Sequence, residues 1–98
     1  MNNSITQRVV DTAERLEEYD SIEDIDFLER KYECSHDGTV REVTLVLTTG
    51  GPQIEVNCIS GTVSGFWSGE SHTTHVESIA VDTAGDHYAR VFEENFNA

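Results

Sequence analysis

Positive charge is scarce in this chain. Lysine occurs once, as Lys31, and the remaining bases are Arg8, Arg15, Arg30, Arg41 and Arg90, six in all against nineteen acids. The formal net charge of -13 argues against nucleic acid, phosphate ligands or anionic membrane surfaces as direct partners, since each would meet like charge. Long apolar runs are also missing. No transmembrane helix or signal peptide is therefore expected, and a cytoplasmic location follows. The chain has two cysteines, Cys34 and Cys58, with no tight C-x2-C pairing of the kind a structural zinc site uses. They are expected to be small buried residues on strands, which leaves a cross-strand disulfide open but not required.

Apolar residues make up 37% of the chain, less than the usual globular share. They are clustered and periodic, which predicts a folded chain rather than a disordered one. Ninety-eight residues suit one domain, residues 1–98, with one modest core.

The acids are concentrated. Between Asp11 and Glu29 there are nine carboxylates and one base, Arg15. Two explanations fit. Scarce lysine with abundant Asp and Glu matches the composition of salt-adapted proteins, because in molar salt the Debye length falls to ~3 Å and self-repulsion is screened. Alternatively, the carboxylates form a surface for a basic partner.

Local patterns predict the elements. Ser4 caps a helix to about Glu18, with Ile5, Val9, Ala13 and Leu16 on its apolar stripe and Asp11, Glu14, Glu17 and Glu18 on the other side. Ser21 and Asp24 form a second capping signal, predicting a short helix over 22–30, although Phe27-Leu28 could also begin a strand. From Lys31 the period changes to two, with Tyr32, Cys34 and His36 on one side. His36-Asp37-Gly38-Thr39 is a hairpin turn. Strands are expected over Val40 to Thr49, around Ile54, Val56 and Cys58, and over Thr62 to Trp67. A last strand or extended connection is expected over His75 to Val81. Asp82 or Thr83 then caps a helix to about Asn95, lined by Ala84, Tyr88, Val91 and Phe92. The order predicts an α+β domain: an antiparallel meander of four to five strands, with N-terminal helices and a C-terminal helix packed on one face.

No motif carries a recognised chemistry. Leu47-Thr48-Thr49-Gly50-Gly51-Pro52 could expose backbone N–H groups to an anion, but it lacks the lysine and hydroxyl of a phosphate loop and reads first as a tight turn. His72 and His75 would share a face only on a helix, and on a strand they would oppose each other. Val63-Ser64-Gly65 lacks the first glycine of a nucleophile elbow. The expectation is a protein that is not an enzyme and needs no metal or cofactor. In Gly65-Phe66-Trp67-Ser68-Gly69, alternation sends the two aromatics to opposite faces, one into the core and one outward, and an outward Trp67 could anchor a protein partner.

Two segments within residues 43–81 carry a resemblance. VLTTGGPQIEV followed by GTVSGFWSGE resembles a group of small proteins of phages, proviruses and haloarchaea that share a TGGP turn and a G-[FY]-W-x-G element. Ser68 stands where that group often has glycine, and the resemblance implies no functional residue. In size and charge the chain is also similar to anti-CRISPR proteins, several of which cover the DNA-binding surface of a CRISPR effector subunit. That resemblance implies a DNA mimic. On this reading Asp11, Glu14, Glu17, Glu18, Glu23, Asp24 and Asp26, with Trp67, would contact a basic protein or nucleoprotein complex. The alternative is a small halophilic structural or adaptor domain, a homodimer through Trp67 and an edge strand.

Overall fold

The computed structural model describes residues 4–96. Helix α1 spans Ile5–Glu17, and Ser4 caps it, its hydroxyl accepting from the Gln7 N–H at 3.2 Å. Ile5, Val9, Ala13 and Leu16 are buried as their spacing predicts, joined by Thr12. A single 3-10 turn follows at Ile22–Asp24. The five strands are β1 (Glu29–Cys34), β2 (Val40–Thr48), β3 (Gln53–Asn57), β4 (Thr62–Trp67) and β5 (Glu70–His75), and helix α2 spans Ile79–Phe96.

The strands form one antiparallel sheet in the order β1-β2-β3-β4-β5, the meander expected. Consecutive strands joined by short turns pair with their neighbours because that closes the smallest loops. One face is apolar. The register aligns Val43 with Tyr32, Leu45 with Val56, Val56 with Val63, and Ile54 with Gly65. Both helices lie on this face, α1 over β4 and β5, α2 over β2. Together they bury Ile5, Val9 and Leu16 from α1, and Ala80, Val81 and Ala84 from α2, against Val43, Leu45, Ile54, Val56 and Val63. The other face is a polar ladder. Gln53 pairs with Phe66, Glu55 with Ser64 and Asn57 with Thr62, and Ser64 is hydrogen-bonded across to Thr73 at 2.9 Å.

Three boundaries differ from expectation. The helix predicted over 22–30 is only the turn Ile22–Asp24. Ile25 is extended and buried, and the Leu28 N–H donates to the Val46 carbonyl at 2.7 Å, so the sheet takes the chain before a second turn can form. The last strand is Glu70–His75 rather than His75 to Val81. Ser68 and Gly69 have φ of 52° and 83°, the two positive values of a two-residue hairpin, so β5 starts directly beyond them. Helix α2 starts at Ile79, so its cap lies four residues before Asp82. Its cap is the buried Ser78, whose hydroxyl accepts from the Val81 N–H at 3.1 Å and donates to the Leu16 carbonyl at 2.8 Å. That second bond is tertiary, so no local pattern could show it.

The cysteines are both free. Cys58 is buried as expected, but Cys34 is exposed at the end of edge strand β1. Among the described residues no helix is long and apolar enough to cross a membrane.

Candidate functional site: an acidic helix face

The amphipathic spacing of α1 sends one side of the helix into the core and turns the other to solvent. Gln7, Asp11, Glu14 and Glu18 fall within roughly 60° of arc at 3.6 residues per turn, opposite the buried stripe. All four are exposed. Carboxylates three or four residues apart on such a face lie ~5–6 Å from one another. Gln7 donates to Asp11 at 2.8 Å, which orders the start of the row. The carboxylates of Glu14 and Glu18 have no hydrogen bond or ion pair to another described residue.

The segment after α1 carries further exposed carboxylates. Glu23 and Asp26 are exposed there, and their carboxylates likewise have no such partner among the described residues.

Two of the expected contact residues also serve the fold. Asp24 closes a capping box, accepting from the N–H groups of Asp20 and Ser21 at 3.2 and 3.3 Å. Glu17 sits on the flank of α1, and its carboxylate accepts from the Glu77 N–H at 3.1 Å, tying the end of α1 to the segment before α2. Neither role is visible in the charge pattern, which weighs all carboxylates equally.

Trp67 is not part of this row. It ends β4, opposite Glu70 at the β4–β5 hairpin. Ile5 and Val9 press on Gly65, where a β-carbon would come within 2.8 and 2.5 Å of their side chains. Gly65 therefore lies under the first turns of α1, whose start is about 20 Å of helix from Glu18 at 1.5 Å per residue. Phe66 and Trp67 are both exposed, at 44% and 48%. The expectation that one would enter the core is wrong, because helix cover ends at Gly65 on one face and the other face has no helix.

The histidines are separated as a strand requires. His72 faces Gly65 and His75 faces Thr62, on opposite sides of β5. Among the described residues no group of three or more His, Cys, Asp or Glu side chains could hold a metal ion. Burial pushes the Cys58 thiol up to about 12, with the nearby Asp82 charge adding to it, so this sulfur is protonated at neutral pH. The TGGP segment is a closed turn, with the Thr48 hydroxyl donating to the Pro52 carbonyl at 2.8 Å and Gly50 at φ 81°.

A second feature has no sequence motif. The Arg30 guanidinium lies 4.6 Å from the Tyr88 ring centroid, 5.8 Å from Tyr32 and 6.0 Å from Phe27. Tyr32 in turn stacks against Phe92 at 4.5 Å. Beyond this cluster a groove of about 380 Å³ runs between β1 and the last turns of α2. The helical spacing of Tyr88, Val91 and Phe92 was the available signal, but it reads as core. Only the position of α2 against an edge strand leaves Val91 39% exposed and Phe96 52% exposed.

Comparison with known proteins finds no matching family, no matching curated protein and no matching solved structure.

Proposed function

We propose that the protein is a non-enzymatic binding protein whose α1 face covers a basic, nucleic-acid-binding surface on a protein or nucleoprotein complex. One observation carries this reading: Asp11, Glu14 and Glu18 form an exposed row opposite the buried stripe of α1, and Glu23 and Asp26 add exposed carboxylates in the segment after the helix. Fold requirements do not consume these carboxylates, in contrast to Glu17 and Asp24. A row of charges at helical spacing can enter a groove lined with Lys and Arg, and opposite fields speed the encounter. A CRISPR effector complex is the specific instance of such a target, which makes the protein an anti-CRISPR inhibitor acting as a DNA mimic.

The test is plasmid interference in a CRISPR-active host, with the wild type and the triple variant Asp11→Lys, Glu14→Lys, Glu18→Lys. This set spares Glu17 and Asp24, so the fold keeps its tethers. Restored transformation with the wild type, lost in the triple variant, supports the reading. Equal restoration by both would remove the acidic row from the mechanism. No restoration by either, across effector types, would leave the acidity as salt adaptation.

A further inference from the structure

We infer that the β1 edge is a self-association surface, at which a second copy of this chain pairs β1 to β1 antiparallel about a two-fold axis at Tyr32. The inference is independent of the α1 reading, since α1 packs over β4 and β5 at the far side of the sheet.

Three observations converge on this edge. β1 is the first strand of the sheet order, so its outer side has no strand partner among the described residues. Unpaired edges template pairing with another chain. Its local charge is also favourable. Within Glu29–Cys34, Glu29 and Glu33 balance Arg30 and Lys31, in a chain of net charge -13. The strand is neutral and holds two of the six bases, whereas the edge strand β5 at the other end of the sheet holds one acid and no Lys or Arg. Finally, the groove beside it is apolar, lined by Tyr32, Val91, Phe92 and Phe96 together with Arg30 and Asn95. Such exposed apolar surface next to an open edge gains from being covered.

The charges also select the register. Residues directly opposite in an antiparallel pair share a face of the sheet, so a symmetric pair must centre on one residue. Centring on Lys31 would oppose Lys31 to itself and Glu29 to Glu33 twice, all like charges. Centring on Glu33 would oppose Glu33 to itself, and centring on Arg30 would pair Glu29 with Lys31 but oppose Arg30 to itself. Centring on Tyr32 opposes Lys31 to the second copy's Glu33, twice by symmetry, and stacks Tyr32 on its own copy. Cross-strand pairs of opposite charge and of aromatics stabilise a sheet, and like charges oppose it. The two-fold axis then runs perpendicular to the sheet. The helices of both copies lie on the same side, the Tyr32–Phe92–Phe96 clusters meet across the axis, and the sheet continues through ten strands. Both acidic α1 faces remain open at the outer ends.

Sedimentation equilibrium of the full chain, from micromolar to millimolar concentration, is the direct test. The wild type should dimerise. Lys31→Glu and Glu33→Lys should each weaken the dimer by about tenfold or more, because each makes two like-charge pairs. The double variant Lys31→Glu/Glu33→Lys should recover it. Both side chains are exposed, and circular dichroism checks that each variant folds. Hydrogen exchange on the wild type gives a second measure that needs no variant. The amides of Glu29–Cys34 should become more protected as concentration rises. A monomer at every concentration overturns the inference. So does a dimer indifferent to both charge changes, or one dissolved by Trp67→Ala, which would place the contact at the β4–β5 hairpin.

Discussion

Gly85 of α2 packs on the backbone of Cys58: a β-carbon at Gly85 would lie 2.6 Å from the Cys58 carbonyl oxygen and 3.1 Å from its carbonyl carbon. Backbone of helix and backbone after β3 are thus in direct contact, with no side chain between them. This contact lets Val81 and Ala84 reach the sheet core.

Gly85→Ala should therefore destabilise the protein. Helix propensity alone favours alanine by roughly 1 kcal/mol. The clash is with main chain, which cannot rotate away, and overpacking of this kind costs about 1–3 kcal/mol before the propensity gain is subtracted. Urea unfolding should show a lower midpoint with an unchanged slope. Gly51→Ala is the control, since nothing lies within 4 Å of its added carbon. A higher midpoint for Gly85→Ala would show that α2 stands further from Cys58.

Ser78→Ala should cost about 1–3 kcal/mol, more than a surface cap. The hydroxyl is buried and holds both the Leu16 carbonyl and the Val81 N–H. Its loss leaves the Val81 N–H without its acceptor and the Leu16 carbonyl with the Tyr19 N–H at 3.2 Å, and it uncouples the end of α1 from the start of α2. Thermal unfolding would measure the change, and a shift of less than a degree would mean that water replaces the hydroxyl.

The two thiols should differ in reactivity. A thiol reagent at mildly alkaline pH should label exposed Cys34 at once and buried Cys58 only as the core opens. The pH dependence of stability has a definite sign. The Cys58 thiol is raised from 9.0 to about 12, so above pH 9 the unfolded chain loses a proton that the folded chain retains. Stability is then full below pH 9 and falls as pH rises toward 12. Cys58→Ala should lose this component, and the difference between the two stability curves across that range isolates it. Parallel curves would show that the thiol reaches water.

Asp37 should titrate unusually low. Its carboxylate accepts from the Thr39 N–H at 3.0 Å and from the Ser35 hydroxyl at 2.8 Å, which holds its pKa near 2 instead of 3.8. The turn gains from this charge above pH 3.8 and loses it as pH falls through 2. A carbon-detected titration of the carboxyl checks the midpoint, and Asp37→Asn should loosen the turn between β1 and β2 at neutral pH. A midpoint near 3.8 would mean that these hydrogen bonds are not kept in solution.

Much of this protein was legible because its signals are local. The 3.6-residue spacing of Ile5, Val9, Ala13 and Leu16 fixes which side of α1 is buried, and so which side presents Asp11, Glu14 and Glu18. The period of two, with turns at Gly38, Gly50-Gly51-Pro52 and Gly61, fixes a meander through β4. The tertiary structure decided what depends on contacts distant in sequence. It set Glu17 on the Glu77 N–H, Ser78 on Leu16, and Gly85 against Cys58. It drew Ile25 out of a helix and into the core, and bonded the Leu28 N–H to β2. It also left Phe66, Trp67 and the groove beside Arg30 uncovered. Periodicity specifies which face of an element is apolar. Which residues of that face are covered depends on where the neighbouring element begins and ends, and only packing sets that position.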